Sequence, residues 1–168
     1  MGKDLKFIGD ISSLKENQYN KLIKDNDSPF IKYSFLSSLE KSGCVSDMTG
    51  WKPSHVAAYD KNNLEGFMPL YIKDNSQGEF IFDHSWSYAL NRTGRKYYPK
   101  LLTAIPFTPC ETRKIISSGN YETYIRKVTS FMHDENIETW HVLFPDNKFA
   151  ESLLSLIHIS EPTRRKRI

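Results

Sequence analysis

Residues 78–109 read GEFIFDHSWSYALNRTGRKYYPKLLTAIPFTP, and strand-like and loop-like segments alternate along them. Glu79-Phe-Ile-Phe-Asp83 is short, aromatic and preceded by Gly78, which predicts a buried strand. His84, Ser85, Trp86, Tyr88, Asn91 and Arg92 follow in quick succession. Ser85 is suited to cap one short helix that ends at Gly94. The chain then returns to a strand, Tyr97-Tyr-Pro-Lys100 into Leu101-Leu-Thr-Ala-Ile105, and leaves through Pro106-Phe-Thr-Pro109. Loops at strand ends, held by a rigid scaffold, are where binding residues concentrate.

This stretch supplies the candidate binding residues Asp83, Trp86, Tyr97, Tyr98, Lys100 and Thr108. An aspartate that closes an apolar strand is either a cap or a site carboxylate. The aromatic residues pack in the core or line a groove for a sugar or peptide, because their faces are apolar while OH or NH tips still hydrogen-bond. Lys100 either carries its ammonium out to the surface or offers a charge to an anionic ligand, and the first is expected. Thr108 has a free hydroxyl on a backbone stiffened by two prolines. Asp83-His84-Ser85 has the letters of a hydrolytic triad, but neighbours on a strand point to opposite faces and cannot converge. His133 and His141 have no second ligand at metal spacing and read as structural, so no metal site is expected.

Upstream, Leu5–Ile8 predicts a first strand, and Ser13-Leu-Lys-Glu16 a capping box that opens a helix through Tyr19, Leu22 and Ile23. Ser28-Pro29 opens a second helix with an apolar stripe of Ile31, Phe35, Leu36 and Leu39, closed by Gly43. His55–Tyr59 and Phe67–Ile72 predict strands joined across Asp60–Asn63. With residues 79–83 they make a three-stranded antiparallel meander. Pro69 inside the second strand calls for a bulge or an edge, since proline donates nothing to the ladder. Downstream, Asn120 caps a helix carrying Tyr121, Tyr124, Ile125, Val128, Phe131 and Met132 at helical spacing. Glu138–Phe144 predicts a last strand, and Pro145-Asp-Asn147 opens a last helix.

A chain of 168 residues suits one domain with a real core. Cys44 and Cys110 form no metal spacing and read as reduced cysteines of a cytoplasmic protein. No signal peptide is evident, and no run approaches the roughly 18 apolar residues of a membrane span. The net charge of +3 comes from the C-terminal tail. Leu154–Arg164 resembles the in-frame translation of a sequencing adaptor, so residues 1–153 are expected to be the natural domain and 154–168 a non-native tail. That tail holds four of the 23 basic residues and one of the 20 acids, which leaves residues 1–153 charge-balanced. A nucleic-acid partner is therefore not expected.

The runs YYPKLLTAIPFTP, GEFIFDHSW and PFIKYSFLSSLEKSGCVSDMTGW resemble the FemAB-like predicted N-acyltransferases, a branch of the GNAT (acyl-CoA N-acyltransferase) superfamily tied to peptidoglycan. The resemblance covers about residues 5 to 150. It implies an α/β GNAT-like fold, a mixed and largely antiparallel sheet flanked by helices, truncated at the C-terminus. Relatives usually read V-T-G-P-R where this chain has Cys110-Glu-Thr-Arg-Lys114. It further implies the N-terminal half of an enzyme that transfers an acyl or aminoacyl group to an amine, such as a cell-wall precursor, with a second GNAT-like half as partner. Asp83 is the catalytic candidate, as a group that takes a proton from the attacking amine. Acyl-CoA or another activated donor is implied for the whole enzyme. No glycine pair here has the spacing of a pyrophosphate loop, so no cofactor is expected to bind this half, and the half alone is expected to be inactive. The alternative is a catalytically silent module that recognises a glycan, peptide or partner domain.

Overall fold

The computed structural model describes residues 4–117 and 119–160. Glu161 and the basic run Arg164–Arg167 lie outside the described residues. The first sheet contains β1 (Asp4–Ile8), β3 (His55–Asp60), β4 (Asn63–Met68) and β7 (Ile116–Ser117), in the order β1-β3-β4-β7 and antiparallel throughout. The second contains β2 (Lys52–Pro53), β5 (Tyr71–Lys73), β6 (Lys100–Thr103) and β8 (Trp140–Val142), in the order β2-β5-β6-β8. β6 and β8 run parallel and need a long crossover, which β7 and α4 (Tyr121–Asp134) provide. The fold is mixed α/β with largely antiparallel sheets flanked by helices.

The two sheets share one long hairpin that changes sheet at a single level. Its first arm breaks at Ser54 between β2 and β3, and its second at Pro69-Leu70 between β4 and β5. Pro69 has no N–H to give, and the Leu70 N–H goes to Nδ1 of buried His55 at 3.1 Å. The Ser54 N–H bonds the Leu70 carbonyl at 2.8 Å and ties the two breaks together. Pro69 thus marks a change of sheet, and the predicted strand 67–72 is two strands.

Helices cover both faces. On β3, Val56 and Ala58 join the cluster under α4 with Tyr124, Ile125 and Val128. Ala57 joins the opposite cluster with Ile11, Tyr19, Ile31 and Leu36, from the segment that carries α1 (Glu16–Asn20) and α2 (Tyr33–Lys41). A strand buried on both faces needs apolar residues at every position, which explains the run Val56-Ala-Ala58. The predicted helix after Asn120 forms as α4, and Asn120 Oδ1 accepts from the Glu122 N–H at 2.9 Å. Ser28 and Pro29 begin a 3-10 turn before α2, and Gly43 follows that helix at φ +78°. α5 spans Asn147–Ser160, with Leu153 and Leu156 packed on the cluster under α4.

Four local expectations fail. The Ser13/Glu16 capping box does not form: Asp10 caps a 3-10 turn at Ile11–Ser13, Ser13 donates to the Asp10 carbonyl, and α1 starts after Lys15 and ends at Asn20. Residues 79–83 form no strand, since Phe80 takes φ +59° and Phe80 and Phe82 are 62% and 91% exposed while Glu79 and Asp83 are buried. The meander is therefore absent, and β4 pairs with β7 instead. Tyr97 and Tyr98 precede β6 in irregular chain. Ser85 lies inside α3 (His84–Arg92), whose N-cap position is Asp83.

Gly66 marks where β4 must pass under α4. An added Cβ would fall 2.0 Å from the Tyr124 hydroxyl and 2.7 Å from Ser117 Cβ. Tyr124 is buried and cannot swing out. Gly66→Ala is expected to lose about 1–3 kcal/mol of stability in urea unfolding, as overpacked cores do.

Candidate functional site

Lys73 on β5 and Lys100 on β6 stand directly opposite each other in the antiparallel register, and both are fully buried. Two like charges in facing positions repel and leave the ladder unstable unless acids reach them. The segment between β5 and α3 folds back over the sheet to do so. Lys100 Nζ donates to Ser76 Oγ at 2.8 Å, Glu79 Oε2 at 2.8 Å and Asp83 Oδ2 at 2.5 Å. Three acceptors meet the three protons of one ammonium, which also lies 5.3 and 5.6 Å from the ring centres of Tyr97 and Tyr98. Lys73 Nζ donates to the Gln77 carbonyl at 3.1 Å, lies 3.9 Å over Trp51 and 4.0 Å from Glu79 Oε1. Burial lowers its pKa to about 8, against the pull of Glu79.

Asp83 takes all its bonds on one oxygen. Besides Lys100, Oδ2 accepts from Ser76 Oγ at 2.6 Å and Tyr97 OH at 2.7 Å. Burial works against the anion, but the bonds from Lys100, Ser76 and Tyr97 outweigh it and hold the carboxyl well below the usual carboxylate range. Oδ1 is buried without a partner among the described residues. The Ser76 proton is spent on Asp83, so Tyr98 OH donates to Ser76 at 2.6 Å. The Tyr97 proton is spent likewise, so His141 Nε2, at 3.1 Å, donates to the Tyr97 oxygen. That tautomer leaves Nδ1 as an acceptor, and burial followed by the charge of Lys100 pushes the imidazole pKa down.

Asp83, Tyr97 and His141 line an open cleft of about 860 Å³ between α3 and β8. Phe82, Trp86 and Leu90 line it from the α3 side and Trp140 from β8, with an Arg95–Glu138 ion pair among its lining. α3 buries none of its residues, so its inner side belongs to the cleft. Of the residues expected from the sequence, Asp83, Tyr97, Tyr98 and Lys100 meet in one cluster. Trp86, 72% exposed, lines the adjoining cleft. Thr108 stands outside, its hydroxyl donating to the Pro106 carbonyl at 3.0 Å. Lys100 does not carry its charge to the surface, because the buried acids meet it inside. Ser76, Glu79, Lys73 and His141 were missed by sequence reasoning. Lysines in two short apolar runs, with acids on the loop between them, were the available signal. Among the described residues no group of three or more His, Cys, Asp or Glu is placed to hold a metal ion.

Lys100→Met would leave Asp83 buried without its counter-charge and Glu79 with only Lys73, at 4.0 Å. Breaking such a pair costs on the order of 3–5 kcal/mol, expected as a lower urea midpoint. Lys73 behaves in the opposite sense. Its folded pKa of about 8 lies below the ordinary 10.5, so its burial penalty is full below pH 8 and fades as pH rises to 10.5. Trp51 Nε1 still donates to Gln77 when Lys73 is removed. Lys73→Met is therefore expected to raise the melting temperature at pH 7 and to lose that advantage by about pH 10.5, as followed by scanning calorimetry.

Three comparisons with known proteins bear on the chain. The model of the FemAB-like family, described as peptidoglycan biosynthesis/recognition, matches residues 10–161. No curated protein matches the chain. Among solved structures, an aminoglycoside acetyltransferase from an uncultured soil metagenomic sample, in complex with trehalose, is similar at 12% identity with a TM-score of 0.45, over 99% of this chain and 91% of that one.

Proposed function

The chain belongs to the FemAB-like family of peptidoglycan biosynthesis/recognition proteins, and from that premise we propose that it is a GNAT-like N-acyltransferase domain whose cleft receives the acceptor amine. The observation that carries this reading is Asp83 Oδ1, an oxygen without a partner among the described residues, on a buried, firmly ionised carboxylate in the lining of the cleft. An incoming ammonium supplies the missing donor and neutralises the charge.

The same observation redirects the catalytic role. A carboxylate held so far down is a weak base, so Asp83 binds and orients the amine while His141 Nδ1 takes its proton. His141 Nδ1 takes one proton from the ammonium, the freed amine nitrogen attacks the acyl carbonyl, the bond from carbonyl carbon to the thioester or ester leaving group breaks, and the second nitrogen proton leaves with that group as the free thiol or alcohol. Tyr97 holds the ring through the Nε2–H bond. Phe82, Trp86 and Trp140 offer faces to a saccharide or peptide body, in keeping with a cell-wall precursor as acceptor. A silent recognition module is the second reading, favoured by the exposure of Phe82 and Trp86 and by the weak basicity of Asp83.

The starts of the two long helices do not suit the pyrophosphate of an acyl-CoA donor. The two long helices, α4 and α5, each cap their own first turn, through Asn120 and Asp146; α4 adds Glu122 in that turn, and the cap of α5 is itself an acid. A coenzyme A pyrophosphate needs free N–H groups and no adjacent carboxylate, so these residues do not fit it. A second GNAT-like half as partner in the whole protein would supply the donor side.

The test uses a small acetyl thioester lacking pyrophosphate, with glucosamine as acceptor, and mass spectrometry of the amide. The chain is expected to exceed the uncatalysed rate, with a loss of about 10²-fold or more in His141→Ala. The rising limb of its pH profile should lie below 6.5, the ordinary value for histidine, because the His141 pKa is lowered. Amide formation no faster than in buffer would refute the transferase reading.

A further inference from the structure

A second cavity, of about 460 Å³, opens where the loop after α1, residues 111–113 and the start of α5 come together. Its size is within the range of about 300–1,000 Å³ usual for small-ligand sites. Lys24, Arg113 and Lys148 line it, against Asp27, Glu111 and Asp146. Arg113 and Asp27 are committed to each other, with Nε to Oδ1 at 2.9 Å and Nη2 to Oδ2 at 2.5 Å. The groups left for a ligand are of both signs. Lys148 Nζ rests 4.4 Å from the Tyr121 ring centre and has no carboxylate partner among the described residues. Asp146 caps α5 through Oδ1, which accepts from the Phe149 N–H at 3.0 Å. Its other oxygen, Oδ2, is buried and has no partner among the described residues.

A buried carboxylate oxygen that lacks a donor calls for one from outside the chain. A phosphate or other simple anion would be repelled by Asp146 and Glu111. An apolar ligand would leave Oδ2 as it is. We propose that this cavity binds an α-amino acid, free or as a short peptide, with its ammonium on Asp146 Oδ2 and its carboxylate on Lys148 Nζ. This site involves none of the Asp83 cluster and stands independently of the acyl-transfer reading.

Isothermal titration of the full chain with L-alanine and with L-alanyl-L-alanine tests it, and the better ligand of the two distinguishes a free amino acid from a peptide. Saturable binding is expected for at least one. N-acetyl-L-alanine, which has no ammonium, and L-alaninamide, which has no carboxylate, should bind about tenfold more weakly or worse. Asp146→Asn keeps an oxygen for the Phe149 N–H and turns Oδ2 into a donor, so it should weaken the zwitterion by a similar factor. Lys148→Met, at an exposed position, should do the same and decides the matter if Asp146→Asn fails to fold. No saturable heat with either zwitterion overturns the proposal. So does N-acetyl-L-alanine binding as tightly, or binding undiminished in the folded variants.

Discussion

The ammonium of Lys100 is taken out of water on a strand that faces a second buried lysine, and the local structure is arranged around that demand. An isolated charge in such a place is far too costly to keep. The chain between β5 and α3 answers it by giving up regular structure. Glu79 and Asp83 turn inward and the aromatic residues between them turn out. A strand would have sent these alternating residues to the same two faces, but with the greasy side buried. Two carboxylates within reach of two ammonium groups outweigh the apolar burial that Phe80 and Phe82 forgo.

The cluster depends in turn on how the hairpin changes sheet. Ser54 on one arm and Pro69-Leu70 on the other release the ladder at the same level. β5 can then leave β4 and pair with β6, which sets Lys73 opposite Lys100. His55 makes this tolerable by accepting the Leu70 N–H, while its other nitrogen bonds Glu40 Oε1 at 2.8 Å. A buried imidazole thus closes a gap in backbone hydrogen bonding that proline opens. The crossover through α4 brings β8 to the far side of β6, and His141 arrives beside Tyr97.

Chemistry follows from the unequal treatment of one carboxylate. Among the described residues three donors converge on Asp83 Oδ2 and none on Oδ1, so the group is both strongly anionic and incompletely satisfied. That combination suits the recognition of a cation and opposes proton abstraction. His141, pushed toward neutrality by burial and by Lys100, has the complementary property. Their connection through the Tyr97 hydroxyl sets an unevenly bonded carboxylate and an imidazole on the lining of one cleft.

Local pattern determined the parts of this protein whose interactions are themselves local. Asn120 and the apolar spacing of Tyr121, Tyr124, Ile125 and Val128 define α4, and the continuous run Val56-Ala-Ala58 defines a strand covered on both sides. Asp83, Tyr97, Tyr98 and Lys100 were also legible as candidates, because polar residues beside apolar runs stand out in composition. Tertiary structure decided what pattern does not encode. The pairing of Lys73 with Lys100, distant in sequence, turned Glu79–Asp83 from a strand into a loop. The same long-range register brought Ser76 and His141 into the cluster and left Thr108 outside. Charge burial is a property of the assembled sheet, and the strand register that sets Lys73 opposite Lys100 is not written in any local pattern.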